Sequence, residues 1–124
     1  MELISIKEVL SNTENNPDGG FYLPPNIDEW NLDTLGIFSE DSYYYPPDST
    51  EYIPKQATED GWIEALDSGS IEEVVENAKL QLSHYTIHHL FEAFVFYVKN
   101  DAFIDLFKIT ALINSKPNFQ AYCC

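Results

Sequence analysis

The sequence predicts an α+β fold: a small antiparallel sheet of three or four short strands, covered by two main helices at about 71–82 and 86–99 and by a short N-terminal helix. Three observations predict it. Apolar residues recur at helical spacing in three stretches. Between them lie short, mostly apolar runs of three to five residues, two of them bounded by Gly or Pro, which fit short strands. A chain of 124 residues with 44% hydrophobic and 15% aromatic content can bury one sizeable core despite its charge, so a single domain over 1–124 is expected.

The elements follow in order. Ser5-Ile6-Lys7-Glu8 has the form of a capping box, and Ile6, Val9 and Leu10 follow at helical spacing, so a helix spans about 5–12. Asn15-Asn16-Pro17-Asp18-Gly19-Gly20 stops it as a turn. Phe21-Tyr22-Leu23, ended by Pro24-Pro25, and Leu35-Gly36-Ile37-Phe38 are strand candidates. Trp62-Ile63-Glu64-Ala65-Leu66 fits a strand or a helical turn. Ser70-Ile71-Glu72-Glu73 has the form of a second capping box, before the apolar stripe Ile71, Val74, Val75, Ala78 and Leu82. Thr86 caps the last main helix, whose Ile87, Leu90, Phe91, Phe94, Val95 and Val98 leave it apolar over much of its girth and hence central. Asn100-Asp101 ends it; Ala102 to Ile113 fits a final strand or a third helix.

The charge is lopsided. The formal net charge is -15, from twenty-one carboxylates against six lysines and no arginine. Residues 1–77 hold eighteen of the carboxylates and two of the lysines; residues 78–124 hold three carboxylates and four lysines. Without a basic patch, nucleic acid is excluded as a ligand. An anionic membrane surface is excluded on the same ground. A surface of this kind steers a cationic partner toward itself. The N-terminus lacks a basic, then apolar, leader pattern, and no apolar run approaches the ~20 residues of a membrane span, so a cytoplasmic location is expected. Cys123 and Cys124 then read as free thiols, and the missing upstream basic residues speak against lipidation.

The stretch from Ser39 to Pro54 stands apart as a long Tyr/Pro-rich acidic loop. Its prolines forbid a regular ladder, and loops of this length in a compact domain are usually functional or disordered. It carries Glu40, Asp41, Asp48 and Glu51 with Tyr43, Tyr44, Tyr45 and Tyr52, and no basic residue up to Ile53. Tyrosines give contact area at low entropy cost, and carboxylates pair with Lys and Arg of a partner. These eight are the candidate partner-binding residues. The alternative is a solvated loop whose tyrosines pack back on the domain.

No catalytic pattern emerges. Acid–base chemistry needs carboxylates in unlike environments, which adjacent pairs such as Glu72-Glu73 do not show. His84, His88 and Glu92 sit at helical spacing, yet they lack a fourth ligand and the His-Glu-x-x-His pattern. There is no phosphate-binding glycine loop. No enzyme activity, cofactor or metal is expected.

The segments Leu3 to Leu10, Tyr22-Leu23-Pro24, Glu29 to Thr34, Val75 to Ala78 and Asn100 to Ile104 give the chain a further character. Through them it resembles the small acidic immunity proteins of bacterial toxin–immunity loci, including those of contact-dependent inhibition. The resemblance implies a stoichiometric inhibitor that binds a basic toxin domain, with no fixed motif of binding residues to carry over. A nuclease is the toxin class whose Lys and Arg an acidic inhibitor would occupy. The alternatives are a general acidic interaction or regulatory module, and a small metal-dependent enzyme using His88 and Glu92.

Overall fold

The computed structural model describes residues 3–40 and 46–106. In chain order these form β1 (Ile4–Ser5), α1 (Ile6–Ser11), β2 (Gly20–Leu23), β3 (Leu35–Phe38), α2 (Lys55–Glu59), β4 (Ile63–Asp67), α3 (Ser68–Gln81) and α4 (Ile87–Asn100), with 3-10 turns at Thr13–Asn15 and Ile27–Glu29. The four strands make one sheet in the order β1-β3-β2-β4, every pair antiparallel. The α+β fold read from the sequence is the fold observed. No helix of the described residues is long and apolar enough to cross a membrane.

The N-terminal helix is capped as its sequence dictates, the Ser5 hydroxyl oxygen accepting the Glu8 N–H at 3.2 Å. Two more first-turn donors, which no helix can satisfy internally, bond outward. The Ile6 N–H donates to Thr34 O and the Lys7 N–H to Leu32 O, both at 3.0 Å. These bonds lock α1 to the approach to β3, and the two residues before it pair with that strand as β1, Ile4 opposite Gly36. The fourth strand therefore lies at the N-terminus. Residues 102–105, where a strand or helix was considered, form neither. They are held on α3 by the Gln81 side chain, whose amide donates to Ile104 O at 2.7 Å and accepts the Leu106 N–H at 2.8 Å. Leu106, the last described residue, is helical, and residues 107–113 lie outside the described residues.

Sheet and helices share one core. Ile6, Val9 and Leu10 of α1, Ile71, Val74, Val75 and Ala78 of α3, and Leu90, Ala93 and Phe94 of α4 are buried against Phe21, Leu23 and Phe38 of the sheet. The Phe21 and Phe38 rings stack with centroids 4.8 Å apart. Gly36 permits this close approach, since a Cβ there would come within 2.6 Å of Phe21 Cε1 and 2.7 Å of Leu23 Cδ2. The central position expected for the last main helix is met: Phe94 is fully buried, and most of the other apolar residues of α4 are partly covered.

Two details correct the sequence reading. A short helix, α2, occupies Lys55–Glu59; it has no side-chain cap and buries no residue, so it left no periodic signal. The second capping box at Ser70 is not formed. Helix α3 begins three residues earlier, directly at the end of β4, and Asp67 is its N-cap. The Asp67 carboxylate takes the Ser70 hydroxyl at 2.6 Å and the Ser70 N–H at 3.4 Å, so Ser70 acts as a donor instead of a cap.

A pH prediction follows from this cap. The Ser70 hydroxyl is the main influence holding the Asp67 carboxyl below its ordinary value of 3.8; burial opposes the shift, and the Ser70 and Gly69 N–H groups reinforce it. A depressed folded value means the stabilisation is present above the unfolded value and is lost as pH falls through the folded one. Asp67→Ala is expected to cost about 1 kcal/mol at neutral pH. That cost should shrink in acid, below about pH 4. Urea denaturation of both proteins at neutral and acid pH checks this; a cost that does not change with pH would refute the charged cap.

Candidate functional site

Alternation along the β2–β4 pair decides which side chains face the core. Phe21 stands opposite Leu66 and Leu23 opposite Ile63, all on the core side; Tyr22 stands opposite Glu64 and Gly20 opposite Asp67, on the outer side. A bulge falls between these pairs, where Phe21 and Tyr22 are adjacent but their partners Leu66 and Glu64 are two apart. The extra residue, Ala65, shifts the phase of β4. Glu64 and Asp67 are an odd number of residues apart, so a regular strand would put them on opposite faces. The bulge puts both on the outer face.

Around this outer face the chain builds an open cleft of about 330 Å³. Its described lining is Asp18, Gly19 and Gly20, Tyr22, Ser39 and Glu40, Tyr52, Glu64 and Asp67. Four of these are carboxylates and two are tyrosines, and no Lys or His is among them. The floor is tightly built. Ser39 and Gly20 are joined twice: the Gly20 N–H donates to Ser39 Oγ at 3.0 Å and the Ser39 N–H to Gly20 O at 2.8 Å. Gly19 has φ +146°, and a Cβ there would meet Ser39 O at 2.6 Å. A Cβ on Gly20 would overlap the Glu64 carboxylate. Residues read from sequence as a turn therefore keep the cleft open. Two of the lining residues are tied to each other, the Glu40 N–H donating to Tyr52 O at 2.9 Å.

Tyr22 is the more buried of the two tyrosines of the cleft, 9% exposed. Its hydroxyl makes no hydrogen bond among the described residues. Burial pushes the phenol above its ordinary value of 10.0, and the negative charge of Glu64 and the neighbouring Tyr52 add to the rise.

Of the eight partner-binding candidates, Glu40 and Tyr52 meet in this cleft. Asp48 and Glu51 are exposed in the loop's return and do not line it; the Glu51 N–H is tied locally to Ser49 Oγ at 3.1 Å. Asp41, Tyr43, Tyr44 and Tyr45 lie outside the described residues. The sequence reading missed Asp18, Tyr22, Glu64 and Asp67, because the sheet and its bulge assemble them. Among the histidines, His84 and His88 are exposed, as is Glu92. His89 Nδ1 accepts the Thr86 N–H at 2.9 Å, so that ring serves as the third-residue partner of the α4 cap. Among the described residues no three of His, Cys, Asp and Glu converge as a metal ion requires.

Fold and site thus define a small α+β protein with an acidic, tyrosine-walled cleft on the outer face of its sheet. It belongs to the family known as domain of unknown function DUF7716, whose model matches residues 3–106. That span ends where the described chain ends on Gln81. Neither a curated protein nor a solved structure matches the chain.

Proposed function

We propose that this protein is an immunity protein, which binds a cationic toxin domain of the nuclease class in the cytoplasm and blocks its active site without catalysing a reaction. The observation that carries the reading is the acidic cleft: four carboxylates and two tyrosines around one concavity, at the base of the long acidic loop, in a chain of net charge -15. A nuclease holds phosphates with Lys and Arg, and a surface of opposite sign can occupy the same side chains. Tyrosine suits such a surface because large, rigid aromatic contacts dominate interface energetics.

Affinity capture from the native cells, with mass spectrometry of the co-purifying chains, tests the reading. A basic nuclease domain in stoichiometric amount is the expected result. Recovery of acidic or neutral chains alone would overturn it. A second arm uses a loop variant, with Tyr52→Ser, Glu40→Gln, Asp48→Asn and Glu51→Gln combined. It should keep its circular dichroism spectrum and lose protection of toxin-exposed cells. A folded variant that still protects fully would move the interface away from the loop.

A further inference from the structure

We propose that the cleft lined by Asp18, Tyr22, Glu40, Tyr52, Glu64 and Asp67 is a receptor for a single guanidinium group, the side chain of an arginine presented by a protein partner. The inference rests on the immunity reading for the partner, and on the cleft alone for the chemistry. Two independent observations support it. The first is the described lining, which offers Asp18, Glu40, Glu64 and Asp67 around a space of about 330 Å³. That is the low end of ligand-sized pockets, enough for one long side chain. The second is Tyr22, nine-tenths buried in the same cleft with a hydroxyl that bonds to none of the described residues. Facing an open cleft, that oxygen is placed to accept an N–H from a ligand.

The arrangement selects the cation. Among the described residues no three carboxylates converge as a metal ion demands. Acids spread over several walls suit a charge that is itself spread out. Guanidinium is planar and delocalised, presents five N–H donors in fixed directions, and stacks on aromatic faces. It can bond to two carboxylates and the Tyr22 oxygen while lying against the Tyr52 ring. An ammonium has three donors from one point and is more strongly hydrated, so it leaves part of this lining unused. The floor supports the same reading, because side chains at Gly19 and Gly20 would collide with Ser39 and Glu64 and fill the space.

The test is an NMR titration of the intact protein with N-acetyl-arginine methylamide, which carries the side chain without terminal charges. Saturable shifts at the Gly20, Tyr22 and Glu64 amides are expected, with affinity about tenfold above that for N-acetyl-lysine methylamide. Tyr22→Phe and Glu64→Gln, each checked for an unchanged fold by its amide spectrum, should each weaken binding several-fold. Shifts spread over the acidic surface without saturation would overturn the proposal. So would equal affinity for the lysine probe, or binding indifferent to both variants. Free arginine, whose own carboxylate the cleft should repel, forms the control. If it binds more tightly than the capped form, the ligand is a small molecule and the partner assignment falls. The titration needs no toxin, so the two readings fail separately. A protective protein that ignores the probe refutes only the guanidinium site, and one that binds the probe without capturing a basic toxin refutes only immunity.

Discussion

Replacing Phe94 with alanine is expected to destabilise the protein by about 3–5 kcal/mol. Phe94 is fully buried at the meeting point of α4 with the rest of the core. Its ring lies 6.1 Å from that of Trp30, tilted by 35°, and Trp30 is fixed by its indole N–H donating to Pro24 O at 2.8 Å. Truncation removes the ring's transfer free energy, leaves a cavity that these fixed neighbours cannot fill, and breaks an aromatic pair worth about 1 kcal/mol. Domains of this size are stable by only about 5–15 kcal/mol, so the variant should be close to unfolding. Phe94→Leu should cost clearly less, since it retains most of the volume. Urea denaturation of the three proteins decides the matter; a loss below about 1 kcal/mol for the alanine variant would show that α4 is not the central element of the core.

Association with a basic toxin domain is expected to slow by tenfold to about a thousandfold between low and high salt. Eighteen of the twenty-one carboxylates fall in residues 1–77, and so do both the cleft and the loop. Charges on that scale guide a cationic partner from beyond contact range only while the Debye length is long, about 30 Å at 10 mM ionic strength against about 8 Å at physiological strength. Steering acts on the encounter, so the dissociation rate should change far less than the association rate. Stopped-flow mixing over a salt series measures both. An association rate that stays flat would mean that the acidity does not serve recognition. The one described surface ion pair, Asp28 with Lys99 at 3.1 Å, spans α4 and the Ile27–Glu29 turn and is too exposed to alter this balance.

Much of the fold was legible because its signals are local. Helix α1 shows its cap in Ser5 and Glu8, and α4 shows its start in Thr86 and its burial in the spacing of Leu90 and Phe94. The apolar runs at residues 21–23 and 35–38 became β2 and β3. The failures were local as well. At the start of α3 two signals competed, and the aspartate closing β4 took Ser70 as its donor. Helix α2 has neither a stripe nor a side-chain cap to announce it. Of the site, only Glu40 and Tyr52 were legible, because composition marks a loop but not what it closes over.

By itself the sequence determined the α+β class, the three amphipathic helices and the concentration of negative charge before residue 78, since each depends on periodicity, capping or composition within a short window. Only the tertiary structure decided that β1 completes the sheet from the N-terminus, and that Asp18, Glu40, Glu64 and Asp67 share one cleft. The reason lies in strand pairing. Which face a strand residue takes depends on its register with a partner far away in sequence, and one extra residue reverses it. Ala65 is that residue, and it brings Glu64 and Asp67 to the same side of the sheet, beside a tyrosine that the sequence marked only as part of a strand.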